Sequence, residues 1–232
     1  MNNSPIIVAL DVETAAEARK LVSALGDAVS FYKVGLELYT AAGMDFVREL
    51  KSQGHRVFLD LKLYDIGETV KRAVAQVSRA AVDYLTVHAS FAVMQAADQG
   101  REGSSLRLLG VSVLTSVDDA DLRRDGYSRG VAELVDLRVK NAMEARMDGI
   151  VCSALEVSRV RSITGPRAVL VTPGVRSAGA AVADQKRVAT PAEAIARGAD
   201  YLVIGRQVTR ANDPRGEIQR ILEELQPASA AR

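Results

Sequence analysis

The sequence is short of the residues that staple a fold, ligate metals or bind by bulk charge. Cysteine occurs once in 232 residues, at Cys152, and histidine twice, at His55 and His88. A single cysteine forms no intrachain disulfide and no thiolate cluster, which fits a reducing compartment, and Cys152 reads as a small buried apolar residue. Neither sign of charge dominates: 30 Lys plus Arg face 29 Asp plus Glu, a formal net charge of +1. So balanced a chain is a poor binder of polyanions or membrane surfaces, and nucleic acid is disfavoured as a partner. No apolar run approaches the roughly 18 residues that span a bilayer. Residues 1–5 show no basic stretch followed by an apolar run, as a secretory signal would. A soluble protein of the cytoplasm is expected. Dinucleotide-type glycine fingerprints, P-loops and His-x-x-x-His pairs are also missing, so those chemistries find no support.

What the chain does have is a 48% hydrophobic fraction, enough for a full core, and a repeating pattern. Eight short β-branched runs recur, at 6–10, 30–34, 57–61, 84–87, 108–114, 149–152, 168–171 and 201–204. Most lack apolar/polar alternation, as strands of a parallel sheet buried on both faces do. Between them lie helical patterns, among them 14–25, 41–53, 67–79, 131–147 and 191–197. Thr190-Pro191-Ala192-Glu193 reads as a capped helix start, and Gly54, Gly165 and Gly198 as helix stops. Spread over eight units, 232 residues give 29 each, room for a strand, a helix and two short connections. The economical fold is α/β, a single-domain (β/α)8 TIM barrel over 1–232, with an open doubly wound sheet as the alternative. Only the tail from about 226 reads as disordered.

In such a barrel the chemistry sits at the C-terminal strand ends, and here those ends are polar. The first run closes on Asp11, the second carries Lys33, the third Asp60 and Lys62, and the fourth His88. Asp60 and Lys62 are two apart, so on a regular strand they point to one face, the barrel mouth. Asp11, Lys33, Asp60 and Lys62 form an alternating-sign set, the arrangement in which buried charges survive; a structural ion-pair network at the rim is the plain alternative. Runs seven and eight close on Thr172-Pro173-Gly174-Val175-Arg176 and Ile204-Gly205-Arg206, at the positions where barrels commonly bind phosphate. Ordinary turns with solvated arginines would look the same. The small-residue stretch 177–184 suits either a lid over that site or a surface loop. His55 reads as solvated, His88 as a packing residue, and Asp118-Asp119-Ala120-Asp121 as an N-capped acidic first turn rather than a cation site.

Taken in order, Ala9-Leu10-Asp11, Lys33-Val34-Gly35, the run Phe58 to Ile66 containing Asp60-Leu61-Lys62 and Asp65, Val87-His88-Ala89, Val113-Leu114-Thr115-Ser116, Thr172-Pro173-Gly174-Val175-Arg176, Asp184-Gln185 and Val203-Ile204-Gly205-Arg206 resemble the orotidine 5'-monophosphate decarboxylase family. The likeness runs from Asp11 to Arg206. One segment departs: Asp65-Ile66-Gly67-Glu68-Thr69 stands where the family usually has Asp-Ile-Pro-Asn-Thr, and a Gly after the Asp is reminiscent of magnesium-dependent sugar-phosphate relatives. A phosphate-binding barrel without catalysis is a third reading, which the intact Lys62 argues against.

The resemblance implies decarboxylation of orotidine 5'-monophosphate to UMP in pyrimidine biosynthesis, with neither cofactor nor metal. It gives Lys62 the roles of stabilising a C6 carbanion and protonating it, with Asp60 beside the substrate carboxylate. Lys33 and Asp11 would complete the charge chain and reach the ribose, and Thr115 and Ser116 the pyrimidine edge. Pro173, Arg176, Gln185, Gly205 and Arg206 would line the phosphate end. Asp65 and Thr69 would enter the neighbouring subunit's site, making a homodimer obligatory.

Overall fold

The computed structural model of the chain describes residues 4–177 and 189–226. Strands β1 (Ile6–Ala9), β2 (Phe31–Gly35), β3 (Arg56–Leu63), β4 (Tyr84–His88), β5 (Arg107–Val111), β6 (Gly149–Val151), β7 (Val169–Pro173) and β8 (Tyr201–Ile204) pair in chain order, and β8 returns to β1. All the pairings are parallel, so the sheet is a closed (β/α)8 TIM barrel rather than an open doubly wound one. The helices are α1 (Ala15–Leu25), α2 (Leu36–Ser52), α3 (Gly67–Arg79), α4 (Phe91–Gly100), α5 (Asp119–Arg124), α6 (Val131–Glu144), α7 (Val157–Thr164), α8 (Pro191–Ala196), α9 (Arg206–Thr209) and α10 (Pro214–Leu225). None among the described residues is long and apolar enough to cross a membrane.

Local chemistry explains the element ends. Thr14 caps α1 by accepting from the Glu17 amide at 3.2 Å. Reciprocal capping boxes start α5, between Asp118 and Asp121, and α8, between Thr190 and Glu193. The acidic cluster at 118–121 is thereby a helix start. Helix α2 begins at Leu36, five residues before the pattern predicted, because two helical segments join across Gly43, whose φ of 63° leaves the helical region. Strand β5 stops at Val111, three residues short of the predicted run; its last residues instead form the rim of the barrel mouth. The expected disordered tail, apart from Gln226, lies outside the described residues.

Two apolar layers hold the barrel. Outward side chains such as Val8, Tyr32, Leu59 and Leu85 pack under the helices, while Ile7, Phe58, Leu109, Val171 and Val203 fill the interior. The interior alternates with the exterior along each strand, which is why the residues at strand tops converge. At the opposite end Phe31, Tyr84 and Tyr201 meet edge to face with centroids 5.4, 5.5 and 5.9 Å apart. The Arg56 guanidinium lies 4.0 Å from the Phe31 centroid and donates to the Tyr201 hydroxyl at 3.2 Å, closing the barrel floor.

Candidate active site

A cavity of about 300 Å³ opens at the C-terminal mouth, the size class of small-ligand sites. Strands β1 to β3 bring Asp11, Lys33, Asp60 and Lys62 to one side of it; Thr115 and Ser116 come from the loop after β5. Pro173 and Arg176 after β7, with Gly205 and Arg206 after β8, line the remainder. The four charged residues form a continuous chain. Lys33 Nζ lies 2.7 Å from Asp11 Oδ1 and 3.8 Å from Asp60 Oδ2, and Lys62 Nζ donates to both Asp60 oxygens at 2.9 Å. Lys33 and Asp60 retain only 10% and 13% of their side-chain exposure, so each charge is compensated by a neighbour rather than by bulk water.

Asp60 and Lys62 converge, but not through the regular pleat that their spacing suggested. Leu59 pairs with Leu85 while Leu63 pairs with Val87, so β3 carries two extra residues against β4. Lys62 sits inside this bulge at φ 48°, the left-handed region that non-glycine residues rarely enter. The buried Thr86 hydroxyl accepts from the Lys62 amide and donates to Asp60 Oδ1, each at 2.9 Å.

Other residues fall away from the cavity. Asp65 and Thr69 are exposed at the β3–α3 junction, and Asp65 Oδ1 accepts from the Ile66 amide at 2.6 Å. They lie between and beside Tyr64 and Ile66, apolar side chains that are 68% and 78% exposed. Gln185 and most of the 177–184 stretch lie outside the described residues; Ser177 itself is buried and exchanges hydrogen bonds with Gln207. His55 is half-buried edge-on to Tyr32, with centroids 5.0 Å apart, rather than solvated, because the start of β3 carries it against the barrel wall. His88 leans on Tyr64, its centroid 4.5 Å away, and its Nδ1 is buried with no hydrogen-bond partner among the described residues. Burial, with Arg138 nearby, holds the His88 imidazole below its usual value. Cys152 is buried as expected, yet it lines the cavity. Among the described residues no group of three or more His, Cys, Asp or Glu is arranged to hold a metal ion.

Sequence reasoning missed three contributors. Thr86 stands behind Asp60, and its signal was a polar residue at an inward position of a buried strand. Gln207 joins Ser177 to Glu217 at 2.8 and 2.7 Å, tying the end of the β7 loop to α9 and α10. Gly35 leaves room for the charge chain: a Cβ there would stand 2.8 Å from Lys33 Nζ and 3.1 Å from Asp11 Oδ1.

Comparison with known proteins agrees with this geometry. Residues 4–221 match the family model described as "Orotidine 5'-phosphate decarboxylase / HUMPS family". The chain is 51% identical over 226 residues to the orotidine 5'-phosphate decarboxylase of Methylobacterium sp. (strain 4-46), covering 96% of each protein. It is 50% identical over 220 residues to that of Afipia carboxidovorans, covering 95% of this chain and 94% of the relative. The crystal structure of orotidine 5'-phosphate decarboxylase from Lactobacillus acidophilus superposes with a TM-score of 0.85 at 34% identity, over 96% of this chain and 99% of that one. A barrel with this charge chain at its mouth, matched over nearly its whole length, belongs to the orotidine 5'-phosphate decarboxylase / HUMPS family.

Proposed function

We propose that the chain is an orotidine 5'-phosphate decarboxylase that releases CO2 and forms UMP in pyrimidine biosynthesis, as a single-domain barrel in the cytoplasm. The observation that carries the reading is the Asp11, Lys33, Asp60, Lys62 chain on one wall of a cavity whose other walls hold Arg176 and Arg206. Heterolysis of the bond between C6 and the carboxylate leaves an electron pair on C6. The Lys62 ammonium, fixed by two 2.9 Å hydrogen bonds to Asp60, stabilises that pair and passes a proton to C6; solvent then reprotonates the amine. Asp60 lies beside the substrate carboxylate and disfavours it against the departing neutral CO2. Lys33 and Asp11 hold the ribose hydroxyls, and Thr115 and Ser116 the pyrimidine edge. Pro173, Arg176, Gln185, Gly205 and Arg206 take the phosphate end, so binding energy gathered far from C6 lowers the barrier there.

The active unit in this reading is a homodimer, with Asp65 and Thr69 serving the neighbouring chain's cavity. Their exposure outside their own cavity supports it, as do the flanking Tyr64 and Ile66, apolar and open to a partner. The decisive experiment follows pyrimidine absorbance with orotidine 5'-phosphate as substrate. Wild type turns over; Lys62→Ala loses turnover while keeping its melting temperature and its affinity for UMP. Near-normal decarboxylation by Lys62→Ala would overturn the mechanism, and an inactive wild type the function.

A further inference from the structure

The β3 bulge sets a problem that its sequence neighbours do not solve. Between the Leu59–Leu85 and Leu63–Val87 pairings the ladder is interrupted, and a partly buried amide left without an acceptor carries a cost. Lys62 provides that amide, at φ 48°, a conformation that relaxes unless its surroundings hold it. Thr86, wholly buried on β4, reaches into the gap. Its Oγ1 accepts the Lys62 N–H at 2.9 Å. Since an amide cannot accept, the single hydroxyl proton is directed the other way, to Asp60 Oδ1 at 2.9 Å. One hydroxyl thus fixes both the backbone of Lys62 and the carboxylate that receives the Lys62 ammonium.

We infer that Thr86 is a positioning residue for the decarboxylation: it holds the Asp60 carboxylate and the bulged Lys62 backbone in the one relative pose that aims the Lys62 ammonium into the cavity. Thr86 does not line the cavity, so it acts through Asp60 and Lys62 rather than on substrate. Without it the Asp60 carboxylate is held only by the two lysine ammonium groups, which can move with it, and the Lys62 backbone loses the acceptor that keeps it in the left-handed region. The ammonium then follows Asp60 instead of the substrate carbon. Misplacements of about 1 Å in reacting groups cost roughly 100-fold in rate, whereas the phosphate end of the cavity is untouched. The inference rests on the roles proposed for Asp60 and Lys62.

The test compares Thr86→Val, which keeps the shape and removes the hydroxyl, with Thr86→Ser, which keeps the hydroxyl. Thr86→Val is expected to lower kcat by about 10- to 100-fold, the range set by loss of a hydrogen bond to a charged group and by misplacement. KM and the affinity for UMP should stay within about twofold, because phosphate and ribose contacts dominate them. Thr86→Ser should restore kcat to within about threefold of wild type, since the hydrogen-bonding group is retained. A folded Thr86→Val with wild-type kcat overturns the inference. So does an equal loss in Val and Ser, which would make the methyl group and its packing the cause. Should Thr86→Val fail to fold, Thr86→Ala against Thr86→Ser makes the same comparison without added bulk, and equal kcat in that pair overturns it. Lys62→Ala measured alongside separates the two levels. Turnover by Lys62→Ala removes the mechanism on which the inference rests, whereas a dead Lys62→Ala beside a normal Thr86→Val removes only the role of Thr86.

Discussion

Gly35→Ala is the sharpest probe of the charge chain, because it removes no functional group. The backbone at Gly35 has φ −97°, which any residue adopts, so the substitution acts through space alone. The new Cβ would stand 2.8 Å from Lys33 Nζ, and ordinary contact begins near 3.4 Å, so the ammonium must retreat by about 0.6 Å. Its bond to Asp11 then lengthens from 2.7 Å to about 3.3 Å. At an effective dielectric of about 20 that lengthening weakens a unit-charge pair by about 1 kcal/mol. Solvent at the half-exposed Asp11 screens the loss further, so the melting temperature should fall by no more than about 4 °C. The rate is more sensitive. The weakened pair accounts for up to about fivefold in kcat/KM, and misplacement of the adjoining Asp60–Lys62 pair raises the loss toward a ceiling near 100-fold. Steady-state assay of the purified variant, paired with a melting curve, reads both. A Gly35→Ala enzyme with unchanged kcat/KM would refute the claim that Lys33 must stay where it stands.

Arg206→Ala should lower kcat/KM for the phosphorylated substrate by about 3 kcal/mol while leaving residual turnover of the nucleoside nearly unchanged, because a guanidinium fork aids only a ligand that carries the anion. Equal losses on both substrates would make Arg206 structural. Mixing equal amounts of the inactive Lys62→Ala and Asp65→Asn chains should restore about a quarter of wild-type activity: about half the dimers are mixed, and each of those holds one intact site of two. No recovery, with subunit exchange verified, would confine Asp65 to its own chain. Burial holds His55 and His88 below their ordinary value of 6.5, so the unfolded chain takes up protons first as pH falls below that value. The melting temperature should therefore be flat above about pH 7 and decline toward pH 5.5, with a shallower decline in His88→Gln; an identical decline in that variant would assign the effect elsewhere.

The barrel was legible because each strand carries its own signal: 201–204 ends where β8 ends, and Gly67–Arg79 is both the predicted helix and α3. The strand tops were legible too, since strand ends in a barrel converge whatever the loops do. Tertiary detail was not. The bulge at Lys62 is set by how β3 registers on β4, a relation between segments 24 residues apart that no local pattern states. The reason for glycine at position 35 lies in the pose of Lys33, and the purpose of Thr86 appears only once that bulge exists. Asp65 is the extreme case, since the role proposed for it lies across a boundary between two chains.

The closed floor bears on traffic. With Arg56 laid over Phe31 and the rings of Tyr84 and Tyr201 edge to face beside it, the end of the barrel opposite the mouth is filled with packed side chains. In the proposed reaction CO2 is released against Asp60 and Lys62 while the nucleotide is still gripped by its phosphate, so its way out is the mouth that the nucleotide occupies. Until C6 is protonated, that gas sits beside the carbanion it has just left. Return of CO2 to the carbanion competes with protonation for as long as it waits, so the proton on Lys62 has to be delivered faster than the gas can turn back.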